Sequence, residues 1–218
     1  VVVGYMADFA ERESREKSRH MVELTALSGF ATVFDSTLKE SKVYENLSNA
    51  VSRSIDPDVV LVFQMDREGR MLSVAASNGI SESEANLSVP AGYGIIGKAM
   101  ESRDAVLVED TDREPEYRQM LESQRIRSAI YAPVKWREEA YGVVMGASQR
   151  RGAFDTHDLN LLSALALQAG LAIHNARLYS DLEDRIGELQ AIFEIDKEII
   201  SAFDLETVLQ HIVQMSIG

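Results

Sequence analysis

Two pairs of short apolar runs constrain this chain more than anything else in it. The first pair is 59-VVLVFQMD-66 and 70-RMLSVAAS-77, joined across Arg67-Glu68-Gly69. The second is 128-SAIYAPVK-135 and 141-YGVVMGASQ-149, joined across the turn at WREEA. Runs of this length, rich in valine and alanine and closed by polar turns, read as β-hairpins. A further brief strand is expected at 105-AVLVED-110. Two hairpins demand an antiparallel sheet, and its apolar faces must be covered by helices.

Helical periodicity supplies the cover. Met21, Leu24, Leu27, Ala31 and Phe34 form one stripe on a helix expected from Ala7 to about Leu38. A second helix over Val43–Ser54 turns Val43, Leu47, Ala50 and Val51 inward and stops at Asp56-Pro57-Asp58, since proline cannot continue a helix. Short helices are expected over Ile96–Ser102 and around Tyr117–Glu122. Asp155 reads as the N-cap of a very long helix reaching about Phe203, with Leu159, Leu162, Leu165, Ala166, Ala169, Ile173 and Leu178 along it. Helices that outrun their domain cannot bury such stripes alone. The simplest partner is the same helix of a second subunit, and Leu24, Leu27, Leu162, Leu165, Ile173 and Leu178 are the candidate contact residues.

Composition then removes whole classes of function. A formal net charge of -13 disfavours nucleic acid as a partner, because phosphate backbones need clustered lysine and arginine. The chain has no cysteine, which excludes disulfides, thiolate metal sites, thiol catalysis and thioether-linked cofactors. None of His20, His157, His174 and His211 is spaced for a metal site, and no metal is expected. The opening VVVGYM, followed by AERESREKSR, reads equally as the end of a membrane helix with its basic flank or as an ordinary helix end. The expected location is cytoplasmic, on the first alternative at the cytoplasmic side of a membrane-anchored parent.

The segment 91-AGYGIIGKAM-100 matches G-x-G-x-x-G at Gly92, Gly94 and Gly97, a pattern that cradles phosphates. Its surroundings do not. SESEANLSVPA precedes it where a buried strand is required, the helix after it lasts about two turns, and Ala99 stands where a phosphate loop needs a hydroxyl. The glycines are read as shaping a tight entry to a short helix.

Together with the segments C-terminal to them, the same glycines resemble the GAF domain. The matching pieces, in order, are LSVPAGYGIIGKA from Leu87, VLVED from Val106, the Pro115-Glu116-Tyr117 turn, RSAIYAP from Arg127 and YGVVMG from Tyr141. Phe154 to Tyr179 resembles the family's C-terminal helix. The resemblance implies an α+β fold in α/β/α layers, with an antiparallel sheet of about six strands. It also implies a small-molecule pocket between one sheet face and the surrounding loops. It further implies a sensory module of a larger signalling protein such as a histidine kinase of a two-component system, dimerising through its terminal helices. Subfamilies can be tested on particular residues. Ser148-Gln149 and Leu159 depart from the cyclic-nucleotide pattern, which leaves that ligand doubtful. The absence of cysteine excludes covalent bilin and the methionine sulfoxide reductase chemistry. No cofactor is identified.

The domain is expected at 22–179, after a connecting helix at 1–21. An ungapped shift laying Glu23 on Glu188 also repeats Leu24, Ala26, Ser36 and Val43 as Leu189, Ala191, Ser201 and Val208. On this reading 180–218 is a linker helix and the start of a second GAF-like copy. In the pocket, Asp110, Tyr117, Arg127 and Ser128 are the candidate polar groups, with Phe63 and Ile130 as apolar walls. The competing reading is that Asp110 and Arg127 merely pair to hold the loop. The chain is thus expected to be a non-catalytic sensor of an unknown small ligand, or else a ligand-free dimerising spacer.

Overall fold

The computed structural model describes residues 39–81 and 83–215. Leu24, Leu27 and the VVVGYM segment lie outside the described residues. Helix α1 (Glu40–Ile55) turns Val43, Tyr44, Leu47, Ala50 and Val51 to one side. It stops where Asp56 takes a left-handed φ of 52° and Pro57 follows. Strands β1 (Val59–Met65), β2 (Met71–Asn78) and β3 (Ser88–Pro90) come next, then helix α2 (Gly94–Ser102). After β4 (Val106–Val108), β5 (Ser128–Trp136) and β6 (Glu139–Ser148), the chain enters helix α3 (Thr156–Met215). The strands form one six-stranded antiparallel sheet in the order β3-β2-β1-β6-β5-β4.

Two local expectations are corrected. The segment before the glycines supplies a short strand, β3, which buries Val89 against β2. Conversely, Tyr117–Glu122 forms no helix, and the loop's regular structure is a single 3-10 turn at Thr111–Arg113. Asp110 drives that turn by accepting the Asp112 N–H on its side chain at 3.2 Å. Asp155 caps α3 as expected. Its Oδ1 accepts the N–H groups of His157 and Asp158 at 2.7 and 3.0 Å, while Asp158 Oδ2 accepts the Asp155 N–H at 3.0 Å. This reciprocal box contributes about 1 kcal/mol.

Strand alternation divides the sheet into two unlike faces. One carries Val60, Val62, Ile130, Ala132, Val134 and Val144 against α1 and the first turns of α3. The other carries Leu61, Phe63, Tyr131, Val143 and Met145 against Ile95, Ile96 and Ala99 of α2 and against Leu121 and Ile126 of the following loop. The layers are therefore helices, sheet, then a short helix with loop.

This burial corrects the dimer assignment. Leu162, Leu165 and Ile173 are fully buried in the first of those cores, so their stripe is used within the same chain. Compact units divide the chain, one reaching Ala176 and the next beginning at Arg177. In the second unit Leu178, Leu182, Ile186, Leu189 and Phe193 are all exposed, from 49% at Leu178 to 73% at Phe193. Among the described residues no helix is long and apolar enough to cross a membrane.

Candidate functional site

The glycine segment explains itself by close approach. Gly94 has φ 51°, and a Cβ there would meet the Glu116 carbonyl oxygen at 2.8 Å. A Cβ on Gly97 would fall 2.3 Å from the backbone of Gly92. These residues line an open cleft of about 620 Å³ with Lys98, Glu116 and Arg118. Both cations in it are engaged: Lys98 pairs with Glu116 at 2.9 Å, and Arg118 donates to the carbonyls of Pro115 and Tyr117 at 2.6 and 2.9 Å.

The candidate pocket residues do not converge. Phe63 and Tyr117 belong to the loop-side layer, Phe63 fully buried and Tyr117 half-buried. Ile130 sits on the opposite face, among the helices. Ser128 is committed elsewhere, donating to the Arg150 carbonyl at 2.7 Å and accepting the Ala153 N–H at 3.3 Å. Asp110 and Arg127 do not pair with each other. Arg127 binds Asp112 at 2.6 Å, while Asp110 faces Arg151 at 3.2 Å and Arg113 at 3.4 Å. Arg151 and Arg125 also reach Asp112, and together they hold its carboxyl below the ordinary range. These groups form a charged rim that ties the Thr111–Arg127 loop down; the interior beneath it is apolar.

Sequence reasoning missed two residues. Tyr131 follows Ile130 on β5, and alternation alone places it on the loop side. Glu84 carried no sequence signal. It joins the 79–87 loop to the covering loop, accepting from Ser81 Oγ at 2.7 Å and from Ser123 Oγ at 2.7 Å and Ser123 N–H at 3.1 Å. Those bonds, Ser81's first, pull its carboxyl from 4.5 down to about 2. Because the folded value is depressed, the tie is complete above about pH 4.5 and fades as pH falls through about 2. The Ser123 amide resonance is therefore expected to titrate near pH 2 and to lose that titration in Glu84→Gln. A midpoint near the ordinary carboxylate value would show that the tie does not form in solution.

A curved sheet with helices on one face and a glycine-entered helix plus a long loop on the other is a known arrangement. The GAF domain sequence profile matches residues 40–173. The chain belongs to the GAF domain family. GAF domains are sensory and regulatory modules. The GAF domain of a phosphoenolpyruvate-protein phosphotransferase from Acinetobacter is similar, with TM-score 0.65 and 18% identity over 72% of this chain and 95% of that one. Free methionine-R-sulfoxide reductase from Neisseria meningitidis, solved with its substrate, has TM-score 0.62 and 21% identity over 74% and 93%. A methyl-accepting chemotaxis protein segment, residues 122 to 287, has TM-score 0.60 and 20% identity over 69% and 98%. At these identities the likeness is one of fold.

Proposed function

We propose that this GAF domain is a non-catalytic sensor within a larger signalling protein such as a sensor histidine kinase. A small molecule binds between the sheet and the Thr111–Arg127 loop and changes how α3 is held. The observation that carries this reading is the division of labour along α3. Its first turns pack Leu162, Leu165 and Ile173 on the sheet, while Leu178, Leu182 and Leu189 stay exposed. Each such leucine forgoes roughly 1.5–3 kcal/mol until a partner covers it. A homodimer joined through α3 supplies that cover, and ligand binding shifts it by the difference in affinity between the two states. The repeat beginning at Glu188 supports reading 180–218 as the link into a second GAF-like copy.

A second reading, the ligand-free spacer, is favoured by one fact. The loop-side layer is closed by its own side chains, with Tyr131 at 1% exposure and Leu121 and Met145 at 2%. Native mass spectrometry of the freshly purified chain, before and after denaturation, separates the two. A dimer that releases a small molecule of defined mass is expected for the sensor; a clean dimer with nothing released selects the spacer. Leu189→Asp is expected to give monomer. If it remains dimeric, α3 is not the joint.

A further inference from the structure

On the helix side of the sheet, a polar chain fastens the end of the packed part of α3 to the β5–β6 hairpin. Tyr141 of β6 is at its centre, 2% exposed within that core. Its Oη lies 2.6 Å from Glu139 Oε2 and 2.9 Å from His174 Nδ1. His174 belongs to the last turn of α3 before the first compact unit ends at Ala176. One turn earlier, Gly170 brings the helix backbone against Lys135 of β5. Close approach therefore holds α3 at Gly170, and hydrogen bonds hold it at His174.

The protons in this chain can be counted. Two oxygens 2.6 Å apart need a hydrogen between them, so the phenol gives its single proton to the Glu139 carboxylate. The contact at Nδ1 then needs a hydrogen from the imidazole, and neutral His174 is assigned the Nδ1–H tautomer. A second proton goes to Nε2. The ring becomes a cation whose Nδ1 already stands 3.6 Å from Glu139 Oε2. That charge strengthens the bond to Tyr141 and adds an attraction to Glu139. Histidine is the side chain that ordinarily changes charge between about pH 5 and pH 8.

Among the described residues, the other groups around the ring do not supply a competing partner from the hairpin. Trp136 of β5 faces His174 with ring centroids 6.4 Å apart, and Arg137 lies over that indole. Lys135 donates to the Arg103 carbonyl, and Glu138 pairs with Arg103. From α1, Glu40 reaches the group only through Tyr44, whose Oη is 3.1 Å from Glu40 and 3.5 Å from the Tyr141 carbonyl. Arg177, one turn on along α3, is the opposing charge.

We propose that Glu139, Tyr141 and His174 form a proton-responsive clasp on α3, which tightens when His174 is protonated. The clasp is firmest on the acid side and loosens as pH rises and the imidazole loses its charge. It goes beyond the sensor reading, because it acts from the helix side of the sheet and needs no small molecule. The side chains of His174 and Glu139 are 31% and 67% exposed, so solvent screening keeps the effect modest.

NMR on the full chain tests this in two steps. Long-range imidazole spectra at about pH 8 are expected to show the His174 proton on Nδ1. A proton on Nε2 instead overturns the clasp. Hydrogen exchange then follows the backbone amides of Ile173 to Ala176, corrected for the intrinsic pH dependence of exchange. Their protection is expected to rise about threefold from about pH 8 to about pH 5.5. His174→Gln, at a partly exposed position that tolerates an uncharged side chain, is expected to abolish that rise. Unchanged or falling protection in the natural chain overturns the proposal, as does a rise that His174→Gln retains. The ligand reading stands or falls separately, on whether the purified chain releases a molecule.

Discussion

Gly170→Ala is expected to destabilise the domain by about 3 kcal/mol, against the usual direction of a glycine-to-alanine change in a helix. Within a helix that change ordinarily stabilises by about 1 kcal/mol, because glycine has the greater backbone freedom to lose. Here the added Cβ would fall 2.0 Å from the carbonyl oxygen of Lys135, with the Lys135 carbonyl carbon and nitrogen at 2.5 and 2.8 Å. The obstacle is backbone, so no rotamer relieves it. Either α3 backs away from β5 or β5 bends, and Ala166, Ala169 and Ile173 lose packing in both cases. The overpacking term exceeds the propensity gain several-fold. With about 2–4 °C per kcal/mol for a domain of this size, the midpoint should fall by about 10 °C. An unchanged or raised midpoint would mean that α3 does not approach β5 so closely.

Leu165→Ala is expected to lower stability by about 3 kcal/mol, within the 2–5 kcal/mol range for removing a fully buried leucine. It is also expected to leave the association state untouched. Leu165 lies in the core with Leu162, Ala166 and Ile173 and is fully buried in its own chain, so truncation opens a cavity there. Urea unfolding gives the first quantity and sedimentation equilibrium the second. A variant with unchanged stability but weakened self-association would put this face of α3 between subunits and reverse the correction drawn from burial.

Physical reasons separate what was legible in the sequence from what was not. β1, β2, β5 and β6 were readable because each has enough alternating or apolar residues to announce itself. β3 was not. It is Ser88-Val89-Pro90, and only Val89 of the three turns into the core. The six-strand count came from the family resemblance rather than from those residues. Around Tyr117 the sequence misled for a local reason. Tyr117, Met120 and Leu121 have helical spacing and do pack inward. However, Gln119 Nε2 donates to the carbonyls of Leu121 and Gln124, and Arg118 donates to those of Pro115 and Tyr117. Side chains thus take up carbonyls that a helix would have bonded through its backbone. In α3 the period was right and the partner wrong, since a stripe says that a face is apolar and not what covers it. Parity along β5 puts Ile130 on the helix side of the sheet and Tyr131 on the loop side, and the candidate set held Ile130.

The borders of the sheet limit how the molecule can join another. Its outermost strands, β3 and β4, are three residues each, and β3 ends on a proline. A border that short offers an incoming chain almost no backbone donors and acceptors to zip onto, and Pro90 contributes no N–H. Growth by strand addition, whether as a docked peptide or as the stacking that begins aggregation, is closed off at both sides. Another copy or a downstream domain has to be gripped by side chains.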